Sequence, residues 1–236
     1  MQHILSKIRA AAEQYDMISE NDHISVGISG GKDSVLLLAA MSELRRFYPR
    51  RFTLSAITLD MRFGGKPGNF APIAELCDRL DVEYKLVPTD IYEVVFVSRR
   101  EKNPCSLCAR LRRGLLHDTA KAMGVTKLAL GHHMEDAVQT FYMNLLKGGN
   151  IDCFAPVTYM SRKDIHVIRP MVFVHESDVV RVCARENLPI VKSRCPADKT
   201  TERERTKLLL DGLNKDYPGI IEKTLGAMQR AGINGW

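Results

Sequence analysis

The stretch Val26-Gly-Ile-Ser-Gly-Gly-Lys-Asp-Ser34 decides how this chain is read. A β-branched run, residues 24–28, leads into it, and an apolar helical pattern, residues 35–46, leaves it. A glycine-rich turn between a parallel strand and a helix is a place where anions bind. Gly30 and Gly31 let the backbone approach a phosphate, and the following helix offers its positive N-terminal end. Ser29 and Ser34 add hydroxyls, and Lys32 adds charge. Asp33 repels a phosphate unless a divalent cation lies between them, so Mg2+ held by Asp33 is part of the expectation. The spacing differs from the Walker pattern, because three residues separate Gly27 from Gly31 and Asp33 follows the lysine.

Outward from this loop, short apolar runs alternate with amphipathic stretches. Strands are expected at residues 24–28, 52–59, 83–87, 127–130 and 166–169. Helices are expected at 4–15, 35–46, 72–80, 91–97, 108–123, 136–146, 177–186, 200–213 and 217–228. This alternation implies βαβ units: a doubly wound, mostly parallel sheet with helices on both faces. Residues 1–20 read as an N-terminal helix. Residues 21–150 form the core with the phosphate loop, and 151–236 a helical C-terminal appendage of the same domain. The 236 residues suit one large domain, and 45% hydrophobic with 26% charged residues is a globular balance. The longest apolar run, residues 35–41, is far short of a membrane span. Lys7, Arg9 and Glu13 interrupt the opening residues, which therefore do not read as a secretory signal.

A second loop, Gly131-His-His-Met-Glu-Asp136, also follows a strand and opens a helix. Two such loops can face one ligand across a crevice. Asp136 is a candidate Mg2+ ligand, and His132 and His133 are candidate nucleotide contacts. Asp136 can equally be a helix N-cap. Asp60, at the end of the second strand, is a further nucleotide-site candidate or another cap.

Pro104-Cys-Ser-Leu-Cys-Ala-Arg-Leu-Arg-Arg113 sets two thiols three residues apart at a helix start, which suits a metal, an iron–sulfur cluster or a redox pair. Cys195 stands alone before Lys199, Arg203, Arg205 and Lys207. Cys77, Cys153 and Cys183 fall on apolar segments and read as small buried hydrophobes. Three thiols fall short of a structural zinc site unless His117 or another cysteine closes it; on a cubane cluster they leave one iron open. The net charge is +6, and residues 99–113 hold Arg99, Arg100, Lys102, Arg110, Arg112 and Arg113 against Glu101 alone. Such a concentration suits phosphates as well as a solvated helix face.

The Ser-Gly-Gly-Lys-Asp-Ser run resembles the loop of the N-type ATP pyrophosphatases, the PP-loop superfamily. Together with residues 104–113, Gly131–Asp136 with Thr140, Ile168-Arg-Pro170 and Cys195, the chain looks like the tRNA 2-thiocytidine synthetase (TtcA) family. The resemblance implies an adenine nucleotide alpha hydrolase-like fold and a cytoplasmic ATP-dependent tRNA sulfurtransferase. It implies thiolation of a cytidine in the anticodon loop. It further implies ATP and Mg2+ as cofactors, and a 4Fe–4S cluster on Cys105, Cys108 and Cys195. Lys32, Asp33 and Asp136 would serve catalysis with those cysteines. Ser29, Gly30, Gly31, Lys32, Asp33, Ser34, Asp60, Gly131, His132 and His133 would bind the nucleotide. The expected partners are tRNA, a sulfur donor (a cysteine desulfurase or sulfide) and a second copy in a homodimer, without a membrane. Around Cys195 the chain reads Cys-Pro-Ala-Asp where well-known members carry Cys-Gly-Ser, and the loop at 61–71 diverges.

Three other functions share some of these features. A tRNA-lysidine synthetase-like ligase needs the phosphate loop but not the three cysteines. A zinc-stapled RNA-binding protein needs no intact Lys32, Asp33 and Asp136. A third is a sulfur-handling enzyme that acts on a small metabolite or removes sulfur from thiolated bases; the basic segment weighs against a small substrate without excluding it.

Overall fold

A computed structural model describes residues 1–99, 104–196 and 202–236. Eight helices and six strands are labelled in chain order: α1 (Gln2–Gln14), β1 (Asp22–Ile28), α2 (Lys32–Leu44), β2 (Phe52–Asp60), α3 (Ala71–Arg79), β3 (Glu83–Pro88), α4 (Pro104–Ala122), β4 (Lys127–Ala129), α5 (Met134–Met143), β5 (Val157–Met160), β6 (Ile165–Ile168), α6 (Glu176–Arg185), α7 (Glu202–Asp216) and α8 (Ile220–Arg230). The sheet runs β3-β2-β1-β4-β6-β5. All neighbours are parallel except β5, which pairs antiparallel with β6. The doubly wound, mostly parallel sheet expected from the alternation is therefore present.

Both faces of the sheet are covered. Ala56 belongs to the larger core, with Ile24, Val26, Leu36, Leu37 and Val138. Its neighbour Ile57 belongs to a second core, with Ala120, Val125, Leu128 and Val167. Strand alternation sends adjacent side chains to opposite faces, so β2 supplies both cores. Residues 35–38 of α2 are wholly buried, which fixes the helix that follows the phosphate loop.

Four features differ from the sequence expectation. β5 has no strong strand signal, because its four residues include an exposed Tyr159. It forms as the edge of a hairpin whose turn places Asp164 in the left-handed region, with φ of 53°. Helix α5 begins two residues early, since His133 adopts the extended conformation of a cap, and it runs on as a π-helical turn over Asn144–Gly148. Residues 93–98 likewise form a π-helical turn rather than a regular helix. The last two helices are divided by Pro218-Gly219, so α7 extends to Asp216 and α8 starts at Ile220. The expected helix start at Thr200 lies outside the described residues.

The C-terminal part does more than append helices, for it supplies β5 and β6 to the sheet. At the chain's end Trp236 is 7% exposed, donates its indole N–H to the Phe154 carbonyl at 2.8 Å, and packs edge-on against Tyr15. Among the described residues, no helix is long and apolar enough to cross a membrane.

Candidate active site

The phosphate loop, residues 29–31, joins β1 to α2. Gly30 has φ of +86°, and a Cβ there would stand 2.9 Å from Cβ of Val191. Glycine is required on both counts, and the Val191 N–H donates to the Gly30 carbonyl at 2.9 Å. The two serines brace the turn: Ser34 Oγ accepts the Ser29 N–H at 3.1 Å and donates to the Gly31 carbonyl at 3.0 Å. Ser29 Oγ accepts the Gly31 N–H at 3.3 Å. No side chain caps α2, so its first-turn N–H groups keep their capacity for an anion.

The second loop meets the first in direct contact. A Cβ on Gly131 would fall 2.9–3.0 Å from backbone atoms of Asp33 and Ser34. Only a glycine lets the ends of β1 and β4 approach this closely. His133 then lies between carboxylates, with Nε2 at 3.8 Å from Asp33 and 3.4 Å from Asp136, and Nδ1 at 3.0 Å from Glu135. Burial alone would lower its pKa, but the bond to Glu135 and the charges of Asp136 and Asp33 more than offset this and raise it. The N-cap of α5 is His133 rather than Asp136; Asp136, three residues on, accepts the His133 N–H at 3.0 Å and closes a capping box while remaining beside the site. Its other oxygen takes the Arg203 guanidinium at 2.5 Å.

Asp33 Oδ1 and His132 Nδ1 are two of the buried polar atoms without a hydrogen-bond partner. Asp33 Oδ1 is buried and makes no hydrogen bond, although Asp33 Oδ2 takes Lys32 Nζ at 3.1 Å. A carboxylate oxygen orphaned beside Asp136 fits a divalent cation. Mg2+ characteristically takes one or two protein carboxylates and completes its shell with phosphates and water. His132 is nearly enclosed behind the loop, 5.0 Å from the Phe154 ring, with Nδ1 unpaired. Burial pushes its pKa down to about 4, so it is a neutral group. Asp60 is engaged otherwise: its carboxylate accepts the N–H groups of Arg62 and Gly68, each at 3.0 Å.

Two acidic residues that the motifs did not single out complete the network. Glu176, at the start of α6, pairs with Lys32 at 3.1 Å and Lys207 at 2.8 Å. Glu135 holds His133, His175 and the Glu176 N–H together. Its pKa falls to about 2, because those hydrogen bonds overcome a burial that would raise it. Glu135 is inside the quoted loop, yet only the fold reveals that its partner is His175. Nothing in the sequence links Glu176 to Lys32 across more than a hundred residues.

Cys105 and Cys108 lie three apart in the first turns of α4, which puts them on one helix face. Burial raises the pKa of Cys108, Arg112 opposes this, and Cys195 and Cys105 raise it further. No three His, Cys, Asp or Glu side chains among the described residues stand at chelating distance. All six cysteines are free thiols. Burial pushes Cys77, Cys153 and Cys183 up to about 11 each, as expected of inert core cysteines. His117 is buried nine residues beyond Cys108 on the same helix, about 13 Å along its axis, too far to close a zinc site with it. Of the basic segment, Arg110, Arg112 and Arg113 are exposed; Arg100, Glu101, Lys102 and, later, Lys199 lie outside the described residues.

The segment at 191–195 ties these two groups together. Val191 is hydrogen-bonded to the phosphate loop, and Cys195 follows four residues later, its charge acting on the Cys108 thiol. Between them Arg194 donates to the carbonyls of Lys66 and Pro67, both at 2.9 Å.

The model of the PP-loop domain matches residues 2–210. The tRNA-cytidine(32) 2-sulfurtransferases of Idiomarina loihiensis and Aliivibrio fischeri are each 38% identical over 221 residues, 93% of this chain and 73% and 71% of theirs. The solved structure of the U34-tRNA thiolase NcsA from Methanococcus maripaludis with its [4Fe-4S] cluster superposes with a TM-score of 0.77. At 24% identity over 96% of this chain and 77% of that one, it shows the same fold. The chain belongs to the PP-loop family and, within it, to the tRNA-cytidine(32) 2-sulfurtransferase family of tRNA-modifying enzymes.

Proposed function

We propose that this protein uses ATP to activate the 2-carbonyl of a cytidine in a tRNA loop and replaces that oxygen with sulfur. The observation that carries the reading is the short span of chain from Val191, hydrogen-bonded to the phosphate loop, to Cys195, together with Cys105 and Cys108 on one face of α4. A ligase that attaches an amine to an activated base has no need to bring a third thiol there.

The chemistry follows from the groups present. A pyrimidine carbonyl resists substitution because oxide is a poor leaving group. Attack of that oxygen on the α-phosphorus of ATP forms a C–O–P linkage and releases pyrophosphate. Lys32 and the N–H groups at the start of α2 stabilise the charge on the departing pyrophosphate. Asp33 and Asp136 would hold Mg2+, which supplies further neutralisation of that charge. Lys32 is pinned by Asp33 and Glu176, so nucleotide binding exchanges one anionic partner for another. Sulfide then adds at the ring carbon, the C–O bond breaks, and AMP leaves with the original oxygen. Cys105, Cys108 and Cys195 would hold a 4Fe–4S cluster, which supplies an iron without a protein ligand where sulfide can be carried. Arg110, Arg112 and Arg113 hold RNA phosphates near these thiols.

Anaerobic protein reconstituted with iron and sulfide should convert ATP to AMP and pyrophosphate and leave 2-thiocytidine in tRNA. ADP as the product, or tRNA without the modified nucleoside, rejects the reading. Lys32→Ala and Asp33→Ala should each slow pyrophosphate release by about 10²-fold or more, the scale for removing a group that stabilises developing charge. Both replace half-buried residues in the first turn of α2, outside the core, and should leave the unfolding transition in place.

A further inference from the structure

The rim beside the cysteines carries three aromatic rings that the ATP and thiol chemistry does not use. Phe63 and Tyr92 meet edge to face, with centroids 5.7 Å apart at 77°. Tyr92 and Phe96 stack at 5.5 Å and 23°. Phe63 belongs to the loop after β2, and the other two to the segment after β3. All three therefore stand beyond the carboxyl ends of two adjacent parallel strands, the end at which such sheets bind ligands. None of the three is fully buried. Beneath them Met61, Ile91, Val95, Leu107 and Cys108 form a small separate core, against which Phe63 and Phe96 pack. The rings thus rest on the face of α4 that carries Cys108.

The loop that presents Phe63 is fixed at two points. Asp60 clasps it through the N–H groups of Arg62 and Gly68, and Arg194 binds its Lys66 and Pro67 carbonyls. The second clasp comes from the residue next to Cys195. Exposed Arg62, Lys66 and Arg99 flank the rings, and exposed Arg110, Arg112 and Arg113 lie on α4; Asp90 and Glu93 oppose them. Proteins grip unpaired RNA with partly exposed aromatic rings near cations: rings stack on bases while the cations hold phosphates.

We propose that Phe63, Tyr92 and Phe96 form a stacking platform for unpaired bases of the substrate tRNA, set on the same face of α4 as Cys108. The platform rests on the tRNA reading above and adds the residues that receive the loop. It explains why a loop divergent from familiar relatives is nevertheless held by two clasps.

The test measures binding of a short, single-stranded, pyrimidine-rich oligoribonucleotide to the full chain, without ATP. Phe63→Leu, Tyr92→Leu and Phe96→Leu keep apolar bulk and remove the stacking face. Each should weaken binding between about fivefold and about a hundredfold, the range for one lost base–aromatic stack. The salt dependence should stay parallel to wild type, because no phosphate contact is lost. Phe63→Tyr, Tyr92→Phe and Phe96→Tyr should retain affinity. Wild-type affinity in all three leucine variants overturns the platform, as does an equal loss in Tyr92→Phe and Tyr92→Leu. Photocrosslinking wild-type protein to the same RNA bearing 5-bromouridine avoids any folding defect. An adduct on one of the three rings supports the platform, and adducts only elsewhere overturn it. Because ATP is absent, a failure of adenylation or thiolation leaves this result standing. Normal thiolation with unchanged oligonucleotide affinity in the leucine variants removes the platform alone.

Discussion

At the scale of single residues, contact between two loops depends on a missing side chain. Gly131→Ala would place a Cβ within 3.0 Å of the Asp33 and Ser34 backbone, and backbone cannot yield as a flexible side chain can. We predict a loss of about 1–3 kcal/mol in stability, the usual cost of overpacking, together with a larger loss of pyrophosphate release, because Asp33 shifts from Asp136. Denaturant titration and a pyrophosphate assay on one preparation check both. His132 gives a second prediction. Burial holds its pKa near 4 against an ordinary 6.5. The unfolded chain therefore takes up a proton between these values that the folded chain refuses. The contribution of His132 is complete above pH 6.5 and is lost as pH falls toward 4. His132→Asn should thus lose less stability than wild type between pH 7 and pH 5, measured by denaturant titration at both. Asp33, Lys32 and Asp136 were legible from the sequence because each lies in a short contiguous motif. Glu176 was not, since its pairing with Lys32 is made by the fold alone.

At the scale of elements, α4 divides its labour by face. Leu107, Cys108, Leu111 and Leu115 turn toward the small core under the aromatic rings, while Arg110, Arg112 and Arg113 remain exposed. An amphipathic helix of this kind would pack equally well with glutamines on the outer face. Replacing the three arginines with Gln should therefore leave stability near wild type and weaken tRNA binding. Each lost phosphate contact should flatten the log–log salt dependence by roughly 0.7–0.9. An unchanged slope would assign these arginines to solvent. The strands β1, β2 and β4 were readable because a buried parallel strand is a run of apolar residues bounded by turns. The edge strand β5 was not, because only its pairing with β6 makes it a strand. The start of α5 was placed two residues late for a related reason, because His133 takes an extended conformation that its residue type does not announce, and the starts of α2 and α4 were placed three and four residues late.

At the scale of the whole molecule, the C-terminal part returns through the sheet and brings distant residues to one end of it. β6 lies beside β4, α6 presents Glu176 to Lys32, and the chain then runs past Gly30 to Cys195. Sequence could nominate Cys195 only by resemblance, since the separation of nearly ninety residues from Cys108 carries no periodic signal. The fold leads the chain from a hydrogen bond with the phosphate loop to Cys195 within five residues, while Lys32 and Asp33 stay on α2 and Cys105 and Cys108 on α4. Nucleotide and thiol chemistry should therefore be separable by substitution. The most direct test is the amount of 2-thiocytidine formed per pyrophosphate released by Cys195→Ser, on anaerobic reconstituted protein with tRNA, ATP and sulfide. We predict that wild type gives about one per pyrophosphate, as the replacement of one oxygen requires, and that Cys195→Ser continues to release pyrophosphate with almost no 2-thiocytidine. A ratio equal to wild type in Cys195→Ser would contradict the assignment of this thiol to sulfur transfer.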